Sequence, residues 1–165
     1  VVEEAEYIEK YLGGVNRIGN DYVSGGYLLW KLFPKTKVMI DPRYFPFKSW
    51  YKEYRAWELG YNAQTMKGVD FGVREFDEKY PADAWCINFR HQRLINWYSN
   101  SPKHKLAFYG PSAAVFVKKE VPLPENAPKT GKGITTIKTV SQSLTVMKFA
   151  YEHTTGTQPF AFWKA

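Results

Sequence analysis

The residues best placed to do chemistry are two short polar groups, each following an apolar run. Asn20 and Asp21 end the run that begins at Val15. Asp41, with Pro42 and Arg43, ends Lys37-Val38-Met39-Ile40. Open α/β sheets bind ligands at the carboxyl ends of their strands. If the two runs are neighbouring strands, Asp21, Asp41 and Arg43 share one edge, and a sugar, a phosphate or a peptide would suit them. The plain alternative is an Asp–Arg pair that fixes the loops. Ser24, Gly25 and Gly26 follow closely, and the two glycines would let another backbone approach.

Other chemistry finds little support. His91, His104 and His153 are far apart and lack metal-ligand spacing. Gly110-Pro111-Ser112-Ala113-Ala114 lacks the closing glycine of a nucleophile elbow. Gly131-Lys132-Gly133 is no phosphate-binding loop. Cys86, the single cysteine, lies between Trp85 and Ile87 and reads as a buried, inert thiol. No cofactor or metal is expected.

The elements that must position these residues follow from periodicity. The spacing predicts a helix over 3–12, ended by Gly13-Gly14, and a strand over 15–19. An apolar run over 27–33 is closed by Pro34, and a strand over 37–41 follows. Ser49 reads as the N-cap of a helix through Leu59, with Trp50, Tyr54, Trp57 and Tyr61 on one face. That face reads as core in preference to a sugar-stacking surface. A polar helix (74–80), a buried strand (83–89), a helix (91–99) and a strand pair (104–109 and 113–118) complete the pattern. Residues 120–133 crowd Pro122, Pro124, Pro128, Gly131 and Gly133 together and read as a linker; 134–153 reads as an appended helix. The expected architecture is therefore an α/β domain over 1–119, Rossmann-like and three-layered, with a mostly parallel sheet, a terminal antiparallel hairpin and a C-terminal helical segment over 134–165.

The chain has 165 residues, the size of one domain, with 18% aromatic residues and a net charge of +7. That aromatic content excludes a disordered tail. The charge suggests an anionic partner, and Arg90, Arg93, Lys103 and Lys105 interleave with Trp97, Tyr98 and His104, the pattern of a nucleic-acid groove. However, residues 1–117 hold 16 basic and 13 acidic residues, whereas 118–165 hold 7 and 3. The compact part is nearly balanced, so nucleic acid is not expected as a partner. No signal peptide is visible and no run approaches the roughly 20 apolar residues that span a bilayer. The chain reads as soluble, and its start at Val1 as that of a fragment.

Asn20-Asp21-Tyr22-Val23-Ser24-Gly25-Gly26-Tyr27-Leu28-Leu29-Trp30 resembles an N-D-Y-x-W-G-G-Y-L-I-W segment. That segment belongs to the C-terminal soluble region of bacterial polytopic membrane proteins of the type C glycosyltransferase-like class, the mannosyltransferase- and oligosaccharyltransferase-like proteins. Their next strand ends V-F-I-D-G-R, where this chain has Val38-Met39-Ile40-Asp41-Pro42-Arg43. Tyr80 to Ile87 and Leu106 to Val117 are similar to the family's later strands in order. Two departures stand out: Ser24 replaces the family's Trp, and Pro42 replaces its Gly. A more distant likeness is to the W-W-D-Y-G region of oligosaccharyltransferases. Aligned on Gly26-Tyr27, its Asp falls at Ser24 and its tryptophans at Tyr22 and Val23.

The resemblance implies an extracytoplasmic domain, tethered to the cytoplasmic or inner membrane. The domain would be non-catalytic on its own and would position a glycan or peptide acceptor, or a partner, in cell-envelope glycan assembly. The membrane-embedded remainder of the parent protein would be its first partner. Under that reading Asn20, Asp21, Ser24, Gly25, Gly26, Asp41 and Arg43 form the ligand site. The alternatives are a stand-alone binding module for anionic glycan or a membrane surface, and an independent α/β enzyme.

Overall fold

A computed structural model describes residues 1–42, 48–59 and 69–131. The elements are α1 (Val2–Tyr11), β1 (Arg17–Asn20), α2 (Tyr22–Leu32), β2 (Lys37–Val38), α3 (Lys48–Leu59), α4 (Val69–Lys79), β3 (Ala84–Asn88), α5 (Gln92–Asn100), β4 (His104–Tyr109) and β5 (Ala113–Lys118). Arg43, Tyr61 and the helix expected over 134–153 lie outside the described residues.

Among the described residues one sheet runs in the order β2-β1-β3-β5-β4. β1 pairs in parallel with β2 and with β3. β5 is antiparallel to β3 and to β4, so the sheet is mixed, with a parallel core and an antiparallel hairpin. The five-residue strand β3 shows why layers form on both sides. Its period-two alternation sends Ala84 and Cys86 to one face and Trp85 and Ile87 to the other. The first face is covered by α1 and α2 through Ala5, Ile8, Leu28 and Leu32. The second is covered by α3, α4 and α5 through Tyr54, Trp57, Phe76, Leu94 and Tyr98. Trp57 and Trp85 are both fully buried, with ring centroids 5.2 Å apart, so the aromatic stripe of α3 is core, as its spacing implies.

Local corrections have local causes. The first strand starts at Arg17, two residues later than the apolar run suggests, because Asp83 Oδ2 accepts from the Asn16 and Arg17 amides and sets where the strand begins. Residues 27–33 form the later part of α2, which starts at Tyr22 because Asp21 caps it. The strand expected over 37–41 pairs as a ladder only at Lys37 and Val38. Helix α3 begins at Lys48, which puts Ser49 inside its first turn and not at its cap.

The Pro-rich stretch packs on the domain through residue 131. Val121, Leu123 and Ala127 rest against the first core. The Tyr109 amide donates to the Lys129 carbonyl at 2.9 Å, and the Gly131 amide to the Tyr109 carbonyl at 2.9 Å, alongside β4.

Candidate functional site

The strand order places a reversal at β1. The chain leaves β1 by α2 on one face to reach β2, then returns by α3 and α4 on the other face to β3, on β1's far side. Crossovers that diverge in this way open a crevice at the carboxyl ends of the two strands between them. Here those ends are Asn20-Asp21 after β1 and Asn88 to His91 after β3.

Asp21 is fully buried. Its Oδ1 accepts from the amides of Val23 and Ser24, both at 3.1 Å, as an N-cap does for α2. Its Oδ2 accepts from Ser24 Oγ at 2.8 Å and from the Asn88 amide at 3.1 Å. The carboxylate thus ties the start of α2 to the end of β3. Arg90, about half-exposed, brings Nη2 to 3.6 Å from Asp21 Oδ1.

Asn20 is also fully buried. Its Nδ2 donates to the Asp21 carbonyl at 2.9 Å and to the Ile40 carbonyl at 2.8 Å. Its Oδ1 accepts from the Met39 amide at 3.0 Å. The side chain therefore extends the β1–β2 pairing beyond the two-residue ladder. Gly25 faces the same carbonyl, and a Cβ at position 25 would overlap the Ile40 oxygen. Gly26 has only ordinary contact with Pro42, at 3.4 Å from an added Cβ. Asp41 is half-buried just beyond, where Tyr22 Oη donates to the Pro42 carbonyl at 3.2 Å.

Six of the seven expected ligand residues are therefore brought to one edge. Asn20, Asp21 and Ser24 direct their polar atoms inward, into the fold, while Arg43 lies outside the described residues.

Other titratable side chains close to this edge come from elsewhere in the chain. Glu58 of α3 is buried, accepts from Tyr54 Oη at 2.9 Å and is paired with Arg55. His91 Nε2 is 3.8 Å from Glu58 Oε1 and accepts from Arg90 Nε at 3.2 Å. Burial pushes the His91 pKa below its usual 6.5, against the pull of Asp21 and Glu58 and with the help of Arg90 and Arg55. His91 is then neutral at pH 7 and can accept a proton or a hydrogen bond. Sequence reading missed Glu58 and His91 because they lie 33 residues apart in separate elements. The signal that could have found His91 was its place just after the strand ending in Asn88.

A cavity of about 400 Å³ lies at the opposite, amino-end edge, lined by Arg17, Lys37, Met39, Trp50, Lys79 and Tyr80. Lys79 is already paired with Glu53 at 2.8 Å there, and the lining gathers no acid–base pair comparable to Glu58–His91. The carboxyl-end crevice is the better candidate on chemical grounds.

No family model, curated protein or solved structure matches the chain. Among the described residues, no helix is long and apolar enough to cross a membrane, and no group of three or more His, Cys, Asp or Glu side chains could hold a metal ion.

Proposed function

We propose that this is a Rossmann-like, non-catalytic accessory domain of a membrane-tethered glycosyltransferase-like protein, facing the extracytoplasmic side. It positions a phosphorylated or otherwise anionic glycan acceptor at the carboxyl-end crevice. The observation that carries this reading is the use of Asn20 and Asp21. The segment that resembles the family builds the edge of the crevice with its own polar atoms satisfied, and leaves half-exposed Arg90 to meet an anion.

Glucose 1-phosphate titrated into isotope-labelled protein tests it. The expected result is saturable perturbation of the Asn88, Arg90 and His91 amides, weakened about tenfold or more in Arg90→Ala. No perturbation, or binding unchanged in Arg90→Ala, overturns the acceptor site. The membrane-tethered part is tested separately: a parent gene without several apolar runs of roughly 20 residues would sink it.

The neutral His91 beside buried Glu58 favours a second reading, an independent α/β enzyme in which that pair handles a proton. Release of phosphate from the same probe, lost in His91→Ala with the fold intact, would select it.

A further inference from the structure

The cavity at the amino-end edge, about 400 Å³, has the size of a small-ligand pocket. Sheet alternation decides which side chains meet it. Ile18 and Val38 pack in the first core, so Arg17, Lys37 and Met39 project from the other face of the β1–β2 edge. Trp50 of α3 and Tyr80, just after α4, wall the same space, with ring centroids 6.0 Å apart and planes at 83°. Pro81 and Ala82 add further apolar lining.

The charge in this cavity is one-sided. Arg17 and Lys37 are register partners on adjacent strands, so two cationic side chains stand side by side on one face. Both residues are exposed, and neither side chain is held in an ion pair or a hydrogen bond among the described residues. The third cation is satisfied: Lys79 donates to Glu53 at 2.8 Å, and Tyr80 Oη donates to the same carboxylate at 3.0 Å. Asp83, the acidic neighbour of Arg17, is tied to the Asn16 and Arg17 amides. Residues 43–47 and 60–68 contain no acidic residue. Like charges side by side repel, and a cleft of one sign with apolar walls concentrates counter-ions. The ligand that suits this lining has a flat apolar body for the Trp50 wall and an anionic head for the cation pair. The planar fork of an arginine matches a carboxylate.

We propose that this cavity binds a small aromatic carboxylate, with its ring against Trp50 and Met39 and its carboxylate between Arg17 and Lys37. The site lies at the edge opposite the crevice and shares none of its side chains, so the failure of one leaves the other standing.

Naphthalene-2-carboxylate titrated into the isotope-labelled whole chain tests it, with naphthalene-2-carboxamide and inorganic phosphate as controls. Saturable perturbation of the Arg17, Lys37, Met39 and Ala82 amides and of the Trp50 indole N–H is expected from the carboxylate alone. Arg17→Gln and Lys37→Gln should each weaken binding about tenfold, and raised salt should weaken it in the parent. The thermal transition of each free variant checks that the fold is kept. No saturation by the carboxylate, equal binding of the carboxamide or of phosphate, or folded variants that bind like the parent would overturn the proposal. So would Overhauser contacts in the free protein from Trp50 and Met39 to residues 132–165, which would show that the chain itself fills the cavity.

Discussion

Asn20 Nδ2 donates to the Ile40 carbonyl at 2.8 Å, and Asn20 Oδ1 accepts from the Met39 amide, so one side chain stands in for the next rung of the β1–β2 ladder. This is why β2 holds its place with only two ladder residues. The same bonds engage the buried Asn20 side chain within the fold.

Asn20→Ala is therefore expected to destabilise the domain by about 2–4 kcal/mol, because it strands the buried carbonyl and amide of Ile40, whereas the Met39 amide keeps the Ile18 carbonyl. Gly25→Ala should cost at least as much, since the added methyl meets backbone that cannot swing aside. Urea unfolding followed by circular dichroism measures both. A loss under 0.5 kcal/mol, on the order of a surface change, would refute the account.

Glu4 supplies the counterpart at the hairpin. It is fully buried, and its Oε1 accepts from the Ser112 amide, Ser112 Oγ and the Ala113 amide at 2.8–3.1 Å. Gly110 leaves room for it, because a Cβ there would overlap the carboxylate. Glu4→Ala should lower stability by about 2–4 kcal/mol and speed amide exchange at Ser112 and Ala113 before the rest of the sheet. Uniform exchange across the sheet would argue against a local role.

His104 and Asp77 predict opposing pH dependences. Their side chains lie 3.6 Å apart in the second core. Burial, with Lys118 and Lys103 nearby, lowers the His104 pKa from 6.5 to about 4. The unfolded chain binds the extra proton between those values, so this contribution is complete above pH 6.5 and is lost as pH falls towards 4. Burial raises the Asp77 pKa from 3.8 to about 6, against the same lysines. Here the native state holds the extra proton, so this contribution is complete below pH 3.8 and is lost as pH rises through 6. The two nearly offset in the intact protein. Relative to it, Asp77→Asn should lose roughly 2–3 kcal/mol more on going from pH 6.5 to 4, and His104→Gln should lose a similar amount on going from pH 4 to 6. Thermal unfolding across that range reads both slopes, and parallel profiles for all three proteins would refute these two shifts.

Cys86 is fully buried, and burial, with Glu4 and Asp21 nearby, raises its thiol pKa well above 9.0. Iodoacetamide should therefore modify Cys86 at pH 8 only as fast as the domain opens, with the rate rising in Asn20→Ala in step with its lost stability. Fast labelling of the native protein would contradict the core position.

Most helices and the terminal hairpin were legible because their signals are local. The Trp50–Trp57 stripe has helical spacing, and the 104–109 and 113–118 runs flank a Gly-Pro turn. The site was legible only as an edge. Asp21, Ser24, Gly25 and Asp41 do gather there, but nothing in their spacing shows which way a side chain points. The start of α2 was missed because glycines lower helix propensity, whereas the Asp21 cap and the close fit of Gly25 to Ile40 override it.

By itself, then, the sequence determined the α/β class, the buried aromatic face of α3, the inert Cys86 and an acidic group after each of the first two strand runs, because periodicity, capping and burial of apolar residues act over a few neighbours. Only the tertiary structure decided that Asn20 and Asp21 turn inward and that His91 lies beside both Glu58 and Arg90. It also decided that Val23, Trp30 and Phe33 on one side of α2 are exposed among the described residues. These outcomes depend on contacts between residues distant in the chain, whose geometry is set when both faces of the sheet are packed together.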